Sequence, residues 1–208
     1  MADRTTPQLL SPGMRGTTVP TEPVLSLSVD QYHRMITAGI LAEADPIELL
    51  EGWLVPKMSK NPPHRASTRL IRAALERVVP PGWYVDSQEP ITTADSEPEP
   101  DVSIIRGETR QYLERHPGPG EVALVVEVAD QSLGRDRGLK KRLYARAGIP
   151  VYWLVNLPEA RLEVYTSPGG PPEKPDYDKR CDHVASEEVP LVIEGREVAR
   201  LSVRDLLP

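Results

Sequence analysis

The sequence predicts an α/β domain built on a central mixed β-sheet flanked by helices. Segments with helical spacing and apolar runs of strand length follow one another in the order helix, several strands, helix, strands. Two of the runs, EVALVVEVA and VYWLVNL, are almost continuously apolar, as strands covered on both faces are. The chain has 208 residues, 39% hydrophobic and 27% charged, and shows no internal repeat and no dividing linker, which suits one domain with a real core. That domain is expected over residues 26–208, behind a flexible arm at 1–25 that is rich in Pro, Thr and Gly and has no periodicity.

Ser28 followed by Gln31 forms a capping box, and Val29, Tyr32, Met35 and Ile36 recur at helical spacing, so a short helix runs to about Ala38 and ends at Gly39. IELLEGWLVPKM places two short apolar segments either side of Glu51-Gly52, the pattern of a hairpin. In HRASTRLIRAALERVV, Leu70, Ile71, Ala74, Leu75 and Val78 mark the buried face of a second helix, stopped by Pro80-Pro81-Gly82. Trp83 to Ile91, Val102 to Ile105 and EVALVVEVA read as strands, and a helix from about Leu133 to Ala147 follows. VYWLVNL and RLEVYTS are strands, Ser167 to Lys179 a Pro/Gly/Asp-rich loop, then come short strands with a turn at Gly195, and Ser202 opens a final helical turn.

Composition excludes several classes. The lone Cys181 rules out a disulfide framework and a thiolate-rich zinc site, and points to a reducing cytoplasm. No apolar run approaches a membrane span and no secretory signal opens the chain, so no membrane partner is expected. A net charge of −6 argues against a protein that coats nucleic acid with its whole surface. The charge is nevertheless polarised: Arg135, Arg137, Lys140, Lys141, Arg142 and Arg146 are opposed only by Asp136 in their stretch. Such a run is either a solvated helix face or a local patch that steers a phosphate backbone.

The chemistry centres on two carboxylates. Asp101 opens one strand and Glu127 lies inside the next, so if the strands are neighbours both acids converge at one end of the sheet. Glu127 interrupts a buried apolar run, where a charged carboxylate needs a metal, a Lys or Arg, or a proton as partner. Asp136, Lys140 and Tyr144, spaced i, i+4, i+8, share one face of the following helix, which lets a lysine reach the carboxylates. Two acids and a lysine at one point can hold a divalent ion, activate a water and offset charge on a phosphodiester. Glu97 and Glu99, just before Asp101, read as a solvated acidic loop, and Trp53, Trp83 and Trp153 as core.

EPDVSII, VALVVEVAD and DRGLKKRLYARAGIPVYWLVN, with the earlier IELLEGWLV and PPHRAS, resemble the Uma-type putative restriction endonuclease family of the PD-(D/E)XK nuclease superfamily. The resemblance runs from about Leu27 to Tyr165, and YARAGIPVYWLV is its most specific piece. It implies a restriction-endonuclease-like core and a Mg²⁺- or Mn²⁺-dependent endonuclease acting on DNA. It also implies Asp101 and Glu127 as metal ligands and Lys140 as the catalytic lysine moved onto the helix, with Lys141 as fallback because the usual slot is Ala129. Glu51 and His64 match family positions expected to approach the metal from the helical side, and Asp136 and Tyr144 match supporting positions. Arg135, Arg137, Lys141 and Arg142 would contact the nucleic-acid backbone. Departures occur at VADQSLGRD and at Asn156, where the family carries other residues.

Other chemistries find less support. His33, His64, His116 and His183 are scattered without a nucleophile elbow, and SPGGPP lacks the helix and Lys-Ser/Thr of a phosphate loop. For His64 a polar helix start is the alternative to catalysis. For the chain as a whole the alternative is a nuclease fold that no longer cuts and binds nucleic acid or protein. A homodimer follows only from the symmetry of cutting two strands.

Overall fold

A computed structural model describes residues 25–42 and 44–208, so the expected arm lies outside the described residues except for Leu25. Helix α1 (Val29–Thr37) starts at Ser28, whose side chain accepts from the Gln31 amide while Gln31 returns a bond to the Ser28 amide. Strands β1 (Ile47–Leu50) and β2 (Trp53–Pro56) form the expected antiparallel hairpin. Its turn residues Glu51 and Gly52 both have positive φ, 50° and 78°, as a tight hairpin turn requires. A side chain at Gly52 would collide with Ser26, because the chain entering α1 is bonded there through Leu27 N to Gly52 O.

Helix α2 (Pro62–Glu76) begins at Asn61, whose side chain accepts from the His64 amide, with prolines filling the first turn. Ile71, Ala74 and Leu75 are buried as expected, but Leu70 is 41% exposed and the buried face is completed by Ser67 and Thr68. Ser67 donates to the Leu206 carbonyl, which docks the C-terminal 3₁₀ turn (Val203–Leu206) on α2. Ser202 sits at the head of that turn without a side-chain capping bond.

The central sheet has six strands in the order β3-β4-β5-β6-β7-β8: β3 (Trp83–Asp86), β4 (Val102–Arg106), β5 (Val122–Ala129), β6 (Val151–Asn156), β7 (Arg161–Gly169) and β8 (Asp176–Val184). Only β5 and β6 pair in parallel, so the sheet is mixed, as the helix between those two strands demands. Two strand boundaries differ from the sequence reading. β3 ends at Asp86 rather than running to Ile91, because residues 87–101 bond back irregularly, Gln88 N to Pro100 O and Ile91 N to Pro98 O. The expected loop 167–179 shrinks because β7 and β8 keep pairing to Gly169↔Asp176. Pro168 is tolerated there, beyond the last β6 pair, Val151↔Thr166.

One sheet face packs on α2 and on the hairpin β9 (Glu188–Ile193) and β10 (Arg196–Ser202) around Ile71, Val126, Val128 and Trp153. The other packs on the helical segment after β5 and on Leu50 of the first hairpin, around Val125, Ala129, Tyr144 and Tyr152. That segment is not the single helix the spacing predicts. It consists of α3 (Leu133–Arg135), a π-helical turn (Asp136–Lys140) and α4 (Lys141–Arg146). A π turn inserts one extra residue per turn, commonly at functional sites. Trp153 is fully buried, whereas Trp53 is 49% exposed, so the latter is not core.

Candidate active site

Period-two alternation along β5 sends Val126 and Val128 to the α2 side and Val125, Glu127 and Ala129 to the side of α4. Glu127 therefore faces the π turn and α4, and β4 pairs beside it through Val102↔Val126. The strands carrying Asp101 and Glu127 are neighbours, and both acids line one cavity of about 80 Å³ at the strand ends. Asp101 Oδ2 accepts from the Val128 amide at 2.9 Å and lies 3.0 Å from His64 Nε2. Glu127 Oε1 accepts from the Tyr144 hydroxyl at 2.6 Å and lies 3.2 Å from Lys140 Nζ. Asp136 and Lys140, at the two ends of the π turn, also line the cavity, each 2% exposed. The structure thus brings Asp101, Glu127, Lys140, His64, Asp136 and Tyr144 together.

It adds Glu48, which the sequence reading did not single out. Alternation in β1 puts Glu48 and Leu50 on the side facing the sheet and Leu49 against α1. Glu48 Oε2 accepts from Lys140 Nζ at 2.7 Å, with both side chains 2% exposed. Glu51, expected here, points elsewhere: as a turn residue it leaves the strand face and pairs with Arg142 at 2.6 Å and Arg146 at 3.1 Å. An acid three residues earlier in the hairpin occupies the place expected for Glu51. The only sequence signal for it was an acid inside an otherwise apolar strand, the same signal that marked Glu127.

The acidic approach to Asp101 is not a solvated loop. Glu97 is 4% exposed, bound by His33 Nε2 at 2.7 Å and by the Thr92 hydroxyl at 2.7 Å, because a bridge to Leu49 draws its backbone under the first hairpin. Glu99 pairs with Lys57 at 2.6 Å on the cavity wall. The basic run also departs from expectation. Arg137 binds Glu163 and Glu159, Lys141 binds Asp176 at 2.8 Å and Arg142 binds Glu51, which removes Lys141 as a fallback for Lys140. Arg135 stays at the cavity, its NH1 donating to the Pro56 carbonyl at 3.1 Å and lying 3.8 Å from Glu48, while its buried Nε, 3.8 Å from Asp136, makes no hydrogen bond among the described residues.

Burial raises the Glu127 pKa to about 8; Lys140 opposes that shift, and Asp101, Asp136 and Glu48 add to it. Burial works against the Lys140 charge, yet Glu127 and Glu48 outweigh it and hold the ammonium above the usual lysine range. Asp136 is also raised, chiefly by burial. Six carboxylates, Glu48, Glu99, Asp101, Glu127, Asp130 and Asp136, thus line one cavity with four cations, Lys57, Lys60, Arg135 and Lys140. Among the described residues no group of three or more His, Cys, Asp or Glu side chains is placed to hold a metal ion by itself. The donor set still fits Mg²⁺ or Mn²⁺, because such an ion takes one or two carboxylates and completes its shell with water. The excess negative charge and the hard oxygens supply the attraction, and the cavity has room for several waters.

The model of the Uma2 family, described as "Putative restriction endonuclease", matches residues 29–200, and the chain belongs to that family. Among solved structures the chain is similar to a crystal structure of a putative nuclease belonging to DUF820 from Anabaena variabilis ATCC 29413. The TM-score is 0.60 and the identity 19%, over 88% of this chain and 97% of that one, a likeness that shows the fold. No curated protein matches the chain. Among the described residues no helix is long and apolar enough to cross a membrane.

Proposed function

We propose that the chain is a Mg²⁺- or Mn²⁺-dependent endonuclease that hydrolyses phosphodiester bonds of DNA. The observation that carries this reading is the meeting of Asp101, Glu127 and Lys140 in one small cavity of a chain from this family. Asp101 and Glu127 would hold the ion, which when bound acidifies a water and offsets phosphate charge. His64 and the Val128 amide fix Asp101, and Tyr144 fixes Glu127, so both acids are oriented before any ion arrives. Lys140 is held charged, so its role is that of a hydrogen-bond donor and fixed cation rather than a proton acceptor. The Nε of Arg135, which lies 3.8 Å from Asp136 and makes no hydrogen bond among the described residues, is a further donor suited to a phosphate oxygen.

A second reading, a nuclease fold that binds without cutting, draws on the same ion pair: an acid already matched by an ammonium needs no metal. Incubating the purified chain with plasmid DNA and Mn²⁺, beside Asp101→Ala, Glu127→Ala and Lys140→Ala, tests both. The nuclease reading expects nicking by the native chain and a loss of about 10²-fold or more in each variant. Equal nicking by all four proteins overturns the site, and no cutting together with no metal binding by calorimetry favours the second reading.

A further inference from the structure

We infer that nucleic acid reaches this site as a single strand laid along the solvent face of α2, over Lys60, Arg65 and Arg69. The inference rests on the nuclease reading for the identity of the ligand and deepens it by naming the surface and the form of the substrate.

The run that looks most basic in sequence is not available. Arg137, Lys141, Arg142 and Arg146 are each engaged by carboxylates of the same chain, at Glu163, Asp176, Glu51 and Asp95 among others. A phosphate would have to displace those partners first. Helix α2 offers the opposite case. Arg65 and Arg69 are exposed and ion-paired to no described residue, and Arg77, two turns further along, is exposed and unpaired in the same way. Arg65 and Arg69 are one turn apart, about 6 Å along the helix axis. The entry to the same helix is a wall of the cavity: Lys60 and Asn61 just before it and His64 in its first turn line it, His64 touches Asp101, and Lys60 Nζ stands 3.9 Å from Asp101 Oδ1. The row of free cations therefore leads into the carboxylates.

The depth of the cavity selects the strand. Glu48, Asp101, Glu127, Asp136 and Lys140 are between 2% and 6% exposed, so a phosphodiester must leave the surface to meet them. A duplex carries its phosphates on a stiff rod that must be bent or distorted to bring one into the cavity, at a cost of about 1–6 kcal/mol, whereas a free strand bends readily. The chain's net charge of −6 also disfavours the denser charge of a duplex.

The test is fluorescence anisotropy with a short labelled DNA, single-stranded or annealed to its complement, in EDTA and over a range of salt. The native chain should bind the single strand at least tenfold more tightly than the duplex. Arg65→Glu/Arg69→Glu, checked for native melting, should lose at least tenfold in affinity and flatten the log–log salt slope by about 1.4, two contacts at about 0.7 each. Arg110→Glu, an exposed arginine away from the cavity, should bind as the native chain does. Tighter or equal binding of the duplex, native-like binding by the double variant, or equal weakening by the control overturns the inference. Because EDTA removes any need for cutting, single-strand binding through α2 with no Mn²⁺-dependent cleavage overturns the nuclease reading alone. Cleavage with an indifferent double variant overturns this inference alone.

Discussion

Lys140 Nζ meets Glu48 Oε2 at 2.7 Å across 92 residues of sequence, with both side chains almost wholly removed from water. The same ammonium lies 3.2 Å from Glu127, so one cation ties the first hairpin, the π turn and the central strand together. Removing one partner of a buried pair leaves an uncompensated charge, which costs about 3–5 kcal/mol, whereas replacing the pair with apolar groups can be near neutral. We expect Lys140→Met and Glu48→Ala each to lose stability in that range. The double variant should lose clearly less than the sum. Urea unfolding at neutral pH measures it, and strictly additive losses would show that the two residues do not act as a unit.

A divalent ion that binds only the folded chain must stabilise it, by about 2.7 kcal/mol at a hundredfold excess over the dissociation constant. The Glu127 pKa, raised to about 8 by burial, means that ion binding must release a proton near neutral pH. Melting of the native chain should therefore rise with Mg²⁺ or Mn²⁺, more at pH 8 than at pH 6. Asp101→Asn should remove most of the rise. A metal response of the same size in that variant would place the ion elsewhere.

The Tyr144 hydroxyl donates to Glu127 Oε1 at 2.6 Å with both groups buried. Tyr144→Phe removes that bond without removing the ring that packs against Tyr152. Loss of a group that orients a metal ligand costs about 10–100-fold in affinity or activity. We expect a fall of that size in metal affinity by calorimetry, with the fold intact by circular dichroism. Unchanged affinity would make Tyr144 a packing residue only.

What could be read in advance follows the reach of local signals. Continuous apolar runs identified β5 and β6, and the pairing of strands carrying Asp101 and Glu127 followed from their adjacency in sequence. Lys140 could be placed because helical spacing survives the π turn: Asp136, Lys140 and Tyr144 still end on the buried side. Glu48 was hidden because its partner is 92 residues away, and Glu51 looked better because it adjoins the turn glycine. Glu97 looked solvated because the cause of its burial, a bridge to Leu49, is a contact between distant segments. The basic run misled for the same reason: the carboxylates of Glu163, Asp176 and Glu51 that neutralise it come from other strands and turns.

Glu163 allows that neutralisation to be tested through pH. It is fully buried in β7; burial opposes its charge, but hydrogen bonds from Arg137, Tyr165 and Asn156 prevail and hold its pKa below the usual glutamate value. A depressed folded pKa contributes stability that is complete above the unfolded value, about 4.3, and is lost as pH falls through the lower folded value. The native chain should therefore melt at falling temperatures on acidification below about pH 4.3, partly because of this residue. Glu163→Gln, which leaves Arg137 and Arg180 without their buried carboxylate charge, should melt lower at neutral pH and show a shallower acid slope. Thermal melts of both proteins from pH 3 to pH 7 make the comparison. Parallel acid slopes would mean that Glu163 does not bind its proton more weakly in the folded chain.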